Sequence, residues 1–296
     1  MPQNFLIRPA NDSEMPSCRE WLPEAFGPDF APEMLVAVPM EDPAQLVGAC
    51  ALSWCNAPKP EVDPSGFPMM LHVVEAMRRK GVGRALIEGA ASWCRDETTA
   101  LRNWMPVPAG SDAALFLGQS GFSLHHRTLH FEANLSEFHR IVDHLRDRLQ
   151  CTGRMPTAAR LLRLHDVPAW DVAALVAPEF PAPHAAIMRR LTPGAPDAFD
   201  LARSVALLVG DVLAGVLIFS WNGGEVGIEV IVVAPSFRGG AANVLLLEGA
   251  TRAAMEGGAK VFRFYCDERT RDTIGLARRA GSTPRRIDEE WRRALA

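Results

Sequence analysis

Residues 71–90 read LHVVEAMRRKGVGRALIEGA. An apolar strand-like run leads into a short polar turn, and a helical pattern opens at the glycines. A helix N-terminus offers unpaired backbone N–H groups and a partial positive charge. Glycine removes the Cβ that would keep an anion away from that backbone. Arg78, Arg79, Lys80, Gly81, Val82, Gly83 and Arg84 put full positive charges and two glycines at that point. The pattern reads as a seat for a pyrophosphate. It is not GxxxxGK[ST], so the P-loop reading fails. It also lacks the third glycine of a dinucleotide fingerprint.

Outward from this stretch, the chain repeats itself. LVGACALSW at 46–54 recurs as LAGVLIFSW at 213–221, matching Gly48 with Gly215 and Ser53-Trp54 with Ser220-Trp221. ALIEGA at 85–90 recurs as LLLEGA at 245–250, which also sets Arg78 against Arg238, Val73 against Val233 and Gly121 against Gly281. FLIR at 5–8 and EAF at 24–26 have counterparts in RLLR at 160–163 and PEF at 178–180. The order of matches is the same in both halves. Two copies with a period of about 160 residues make a tandem rather than a solenoid.

Leu135, Phe138, Ile141, Val142, Leu145 and Leu149 recur at helical spacing, so 135–150 is expected to be an amphipathic helix, with CTGRMPTAA at 151–159 as a linker. The expected domains are 1–150 and 151–296. Each half follows β-α-β-β-β-α-β-α-β, a mixed α/β layer pattern. In the first half the strands fall at 5–8, 34–38, 46–54, 67–74, 100–105 and 124–131, with the central helix at 81–95.

A strand, then V-x-x-x-x-[RQ]-x-x-G-x-G, then a helix resembles the acyl-CoA motif of the GNAT superfamily of N-acyltransferases. The order of elements, the IRPA opening at 7–10 and the Gly121-Phe122 pair resemble that family too. The resemblance covers nearly the whole chain, as two tandem GNAT domains, a length similar to that of the mycothiol synthases. It implies that backbone groups of Leu71 and Val73 pair with a pantetheine arm. It further implies that the amides of Arg79 through Arg84 hold the pyrophosphate of acetyl-CoA. The second copy, VAPSFRGGAAN at 233–243, departs from the motif, with Ala241 and Asn243 in place of the two glycines. The donor is therefore expected in the N-terminal domain.

The family often carries a tyrosine near the end of its last helix, which protonates the leaving thiolate. Leu117 and Ala277 occupy those positions, and Gly110 and Thr270 replace the asparagine that often precedes this helix. The single tyrosine, Tyr265, falls on the strand before it. Side chains alternate along a strand. Phe67, Met69, Leu71 and Val73 share the face expected to meet the thioester, and none can take a proton. His72 points away and reads as a packed histidine. On the matching face of the second copy Glu229 is the candidate base, with an ion pair to a nearby arginine as the simpler alternative. His125, His126 and His130 sit at strand spacing with no cysteine or carboxylate completing a ligand set, so no metal is expected. Trp54 and Trp221 read as matched packing anchors.

Composition bounds the rest. The chain has 296 residues, 48% of them hydrophobic, 23 glycines, 23 prolines and a net charge of −4. That is ordinary globular usage and excludes disorder and collagen. The acidic excess lies in the first half, and no strongly basic face points to nucleic acid. Six cysteines without a CxxC pair suit a reducing compartment. The most apolar stretch, 205–221, is interrupted by Asp211 and falls short of a membrane span of about 20 residues. The start, MPQNFLIRPANDSE, has no signal pattern. The expectation is a cytoplasmic acetyltransferase acting on an amine of a small molecule or peptide, without nucleic-acid or membrane partners. A non-catalytic CoA-binding or interaction protein on the same scaffold is the alternative.

Overall fold

The computed structural model describes residues 4–26, 30–55, 66–179 and 184–295. In chain order the elements are β1 (Phe5–Pro9), α1 (Met15–Trp21), β2 (Phe30–Pro39), β3 (Gly48–Cys55), β4 (Phe67–Val73), α2 (Val82–Cys94), β5 (Ala100–Asn103), β6 (Val107–Pro108), α3 (Asp112–Gln119), β7 (Ser123–Asn134) and α4 (Leu135–Cys151). They continue as β8 (Ala159–Arg163), α5 (Ala169–Val176), α6 (His184–Arg190), β9 (Val205–Val209), β10 (Val212–Asn222), β11 (Glu225–Val233), α7 (Ala242–Glu256), β12 (Val261–Asp267), α8 (Arg271–Arg279) and β13 (Pro284–Ala294). Two compact units divide the chain: Met1–Arg127 with Asp288–Ala296, and Thr128–Ile287.

In the first unit β1 to β4 pair antiparallel in sequence order, β5 joins β4 in parallel, and β13 closes on β5 antiparallel. Alternation along β2 sends Leu35 and Ala37 to one face and Met34 and Val36 to the other. The first face takes α2. Its buried residues Val82, Leu86, Ala90 and Cys94 recur every four positions and so form one stripe. The second face takes α1 through Cys18, followed by Leu22 and Ala25. Proline at the first turn of α1 removes only an N–H that has no helical partner. Gly48 is fixed by packing, because a Cβ there would stand 2.8 Å from the His72 carbonyl and 3.1 Å from Leu86.

The second unit repeats this plan. β8, β9, β10 and β11 pair antiparallel, β12 joins β11 in parallel, and β7 closes on β12 antiparallel. Val209 and Val212 pair across the Gly210-Asp211 turn, where Gly210 supplies φ +62°. One face packs α7 through Leu246, Ala250 and Ala254, and the other packs α5 and α6 through Val172, Val176 and Ile187. Asn134 caps α4, its side chain accepting from the Glu137 N–H. α4 then buries Leu135, Phe138 and Val142 in the α7 core. A fully buried phenylalanine such as Phe138 contributes about 1.5–3 kcal/mol.

The division differs from a cut between residues 150 and 151. Helix 135–150 forms as its spacing predicts, but its apolar stripe is buried in the second unit. The reason is strand pairing. From Thr128 to Asn134, β7 pairs with β12, while Arg292, Arg293 and Ala294 of β13 pair with Arg102, Leu101 and Ala100 of β5. Each half of the sequence thus contributes its closing strand to the other half's sheet.

Candidate active site

In the first unit, β4 ends at Val73, a 3-10 turn covers Glu75–Met77, and α2 starts at Val82. Arg78 folds back and donates from Nε to the Val73 carbonyl at 3.2 Å. Arg79 and Gly81 take left-handed φ of +63° and +90°. Gly81 is required by that backbone, and a Cβ built on it meets nothing within 4 Å. Gly83 is glycine for another reason: a Cβ there would lie 2.9 Å from Phe116 Cζ of α3 and 3.5 Å from Leu71 Cδ2. A ring and a leucine therefore fill the space beside the second glycine. Arg84 donates to the Gln119 carbonyl at 3.2 Å, at the C-terminus of α3. Its charge satisfies a helix end there. Lys80 rests on the Met77 sulfur at 3.8 Å. Leu71 and Val73 pair with Cys50 and Gly48 of β3, and β4 pairs with β5 from Phe67 only as far as Met69.

The loop of the second unit follows the same path. Arg238 donates from Nε to the Val233 carbonyl at 3.0 Å. Gly239 takes φ +72° where Arg79 takes +63°. Ala241, at the N-cap of α7, has φ −73°, so that position needs no glycine. Here the neighbouring space is open. A cavity of about 730 Å³ is lined by Ile231, Val233, Arg238, Asn243, Tyr265 and Leu276, among others. Two features of the sheet make it. β11 pairs with β12 from Glu225 to Gly227 only, after which the strands part. Ile218 faces Val230 while Phe219 faces Ile228, so Glu229 is the extra residue of a β-bulge. The first unit keeps straight register from Gly48↔Val73 to Leu52↔Met69.

The bulge organises the cleft. The Tyr265 hydroxyl donates to the Glu229 carbonyl at 2.8 Å. Burial, and then the charge of Glu229, raise the Tyr265 pKa, while Arg190 acts to lower it. The Glu229 carboxylate is held at 2.6 Å by Arg190 of α6. That guanidinium also lies 3.9 Å from the Phe199 ring centre and donates to the Asp197 carbonyl at 3.0 Å. The Glu229 carboxylate is thus paired with an arginine and orients it.

The remaining sequence candidates sort by packing. His72 stacks on Trp21 with ring centres 5.1 Å apart. Burial, and then Arg78, depress its pKa. Leu117 and Ala277, at the positions of the expected tyrosine, are buried in their cores. Trp221 packs on the C-terminus of α7, where a Cβ on Gly257 would stand 2.6 Å from it; the Trp54 side chain lies outside the described residues. Tyr265 is what sequence reasoning missed. Its strand was read correctly, but the parting of β11 and β12 that opens the cleft beside it leaves no local signal. Among the described residues no helix is long and apolar enough to cross a membrane.

No protein-family model matches the sequence, and no curated protein matches it. Solved structures do. A GCN5-related N-acetyltransferase from Sphaerobacter thermophilus is similar over 100% of this chain and 97% of its own, with TM-score 0.58 and 15% identity. A tandem GNAT protein from the clavulanic acid biosynthesis pathway is similar over 99% of both chains, with TM-score 0.56 and 17% identity. A GCN5-related glucosamine N-acetyltransferase region of a fungal β-N-acetylglucosaminidase is similar over 99% of this chain and 38% of its own, with TM-score 0.63 and 14% identity. The expected mixed α/β architecture is thus the GNAT fold.

Proposed function

We propose that this chain, whose fold is that of the GNAT N-acetyltransferases, transfers an acetyl group from acetyl-CoA to an amine, and that the donor sits in the cleft of the second unit. The single observation that carries the reading is the open cavity under the Arg238–Asn243 loop; the strand edge left unpaired beyond Gly227 has a counterpart beyond Met69, but there Phe116 and Leu71 fill the neighbouring space. An extended pantetheine arm needs such an edge, and a pyrophosphate needs a helix N-terminus like that of α7. Arg271 and Arg279 line the same cavity and suit the donor's phosphates, while Arg238, also in the lining, is paired with the Glu179 carboxylate at 2.5 Å. The proposed seat lies in the unit whose motif departs further from the family pattern. Ala241 is compatible with it because its φ is helical.

In the transfer, the amine nitrogen attacks the thioester carbonyl. A C–N bond forms, the C–S bond breaks with CoA leaving as its thiolate, and the proton given up by the amine nitrogen passes through solvent to neutralise that thiolate. Holding the two reactants together supplies much of the acceleration. Backbone N–H groups beside the Glu229 bulge are the donors available to polarise the carbonyl oxygen. Tyr265, tied to the bulge carbonyl, orders that segment. The acceptor is an amine on a small molecule or peptide; the glucosamine-acetylating neighbour makes amino sugars a first panel to screen. The free thiols of Cys18, Cys50, Cys94, Cys151 and Cys266 suit the cytoplasm.

A second reading keeps the donor in the first unit, favoured by the left-handed Gly81 with Arg79 and Lys80 beside it. Calorimetry with acetyl-CoA on Gly240→Glu and Lys80→Glu separates the two. A Cβ on Gly240 meets only the Phe237 carbonyl, at an ordinary 3.5 Å, so the carboxylate enters without steric cost. The expected result is one site, weakened at least about tenfold by Gly240→Glu, a loss of about 1.4 kcal/mol, and unchanged by Lys80→Glu. The reverse moves the seat to the first unit. No binding by the wild type at millimolar donor overturns the acetyltransferase reading in favour of a non-catalytic scaffold.

A further inference from the structure

In sequence no carboxylate completes a ligand set with the histidines of β7, but the exchanged strand brings one to His125 and His126. His125 and His126 of β7 and Glu290 of β13, all in the first unit, present a nitrogen, a nitrogen and a carboxylate oxygen within 4.8 Å of one another. We propose that these three residues form a binding site for a divalent transition-metal ion of the zinc class, which fastens β13 to β7.

Three observations converge. The two strands are held in place independently of the cluster. Ser123 Oγ donates to the Arg292 carbonyl at 3.1 Å, and Arg127 Nε meets Glu289 Oε1 at 3.0 Å. Arg127 and Glu289 pair with each other, which leaves the Glu290 carboxylate to His126. Second, the meeting is too long for a hydrogen bond and of a length suited to an ion. His126 Nε2 and Glu290 Oε2 are 3.8 Å apart. Donors at about 2.0–2.1 Å from a tetrahedral zinc stand roughly 3.4 Å from one another, so a small side-chain rotation closes the gap. The His125 and His126 rings already lie edge to face, with centres 5.5 Å apart. Third, access and shielding divide suitably. The Glu290 and His126 side chains are only 16% and 24% exposed, which limits hydration of the carboxylate, while His125 is exposed and leaves a path for the ion. Two neutral imidazoles and one carboxylate favour zinc, nickel, copper or cobalt over magnesium or calcium, and water completes the shell.

The test uses the full chain without a histidine tag, stripped with chelator. Titration with Zn²⁺ by calorimetry, and with Co²⁺ by its visible bands, reads stoichiometry and geometry. The expected result is one ion per chain, with affinity lowered at least about tenfold by His126→Ala and by Glu290→Gln, and unchanged by His130→Ala. Zn²⁺ should also raise the melting temperature of the wild type but not of Glu290→Gln. His125→Gln, at an exposed position, gives the same reading if Glu290→Gln fails to fold. No binding by the wild type, or binding untouched by both Glu290→Gln and His125→Gln, overturns the site.

Discussion

Gly83→Ala separates the two roles a glycine can have at the start of α2. Its new Cβ would lie 2.9 Å from Phe116 Cζ and 3.2 Å from Cε2, against an optimum near 3.5–4.0 Å. The backbone at Gly83 is helical, so the substitution gains up to about 1 kcal/mol of helix propensity. Driving the Phe116 ring aside costs about 1–3 kcal/mol in strain and lost packing. The net expectation is a loss of about 1 kcal/mol, seen as a fall of roughly 2–5 °C in the melting of the first unit. Phe116→Ala removes the clash, so the double variant should recover, with a coupling of about 1–2 kcal/mol in a double-mutant cycle. Urea denaturation of the four proteins supplies the cycle, and calorimetry with acetyl-CoA should show unchanged affinity throughout. The reasoning fails if Gly83→Ala leaves stability intact or improved while acetyl-CoA affinity drops. Gly83 would then be there for an anion, and the donor seat would be in the first unit.

Other outcomes follow from the same geometry. Glu229→Gln should leave the pH profile of turnover unchanged, because the carboxylate is held by Arg190; loss of an ionisation from that profile would make Glu229 the base. Tyr265→Phe removes the bond to the Glu229 carbonyl and should lower kcat/KM about fivefold, about 1 kcal/mol; unaltered kinetics would remove Tyr265 from the cleft's ordering. Gly48→Ala, with its Cβ 2.8 Å from a backbone carbonyl that cannot swing away, should cost about 2–3 kcal/mol in urea denaturation. Arg8 holds Glu14 through bonds of 2.8 and 2.7 Å and keeps its carboxyl below the usual value of 4.5. That contribution, about 1 kcal/mol, is present above pH 4.5 and lost as pH falls through the lower folded value. The stability gap between wild type and Arg8→Ala should therefore narrow in acid, and a gap that widens refutes the pairing.

The GNAT architecture was legible because it is written locally. Alternation along β2, the four-residue stripe of α2 and the turn residues at Gly210 each act over a few positions. The matched donation of Arg78 and Arg238 to carbonyls five residues back is also local, and the repeat in sequence marked both. What was not legible depends on strands meeting from afar. Nothing within residues 123–134 tells whether β7 will pair with its own half or with β12. Glu290 therefore gave no sign of joining His126, nor α4 of packing with the second unit. The cleft shows the same limit. The motif favours Gly81 and Gly83 over Ala241 and Asn243, whereas β4 and β5 part as β11 and β12 do, and the units differ in Phe116 beside one loop and the Glu229 bulge beside the other.

The exchange of closing strands also sets a timetable for synthesis. The first unit has β1 to β5 once residue 127 has been made, but β13 follows only about 160 residues later. At roughly 5–20 residues per second that is an interval of about ten to thirty seconds. Throughout it the strand that covers the edge of β5 around Leu101 in the folded chain is still to be made, and an uncovered edge is a template for pairing with other strands. Shifts in translation speed downstream of residue 127 should alter the yield of the polypeptide without changing a single side chain.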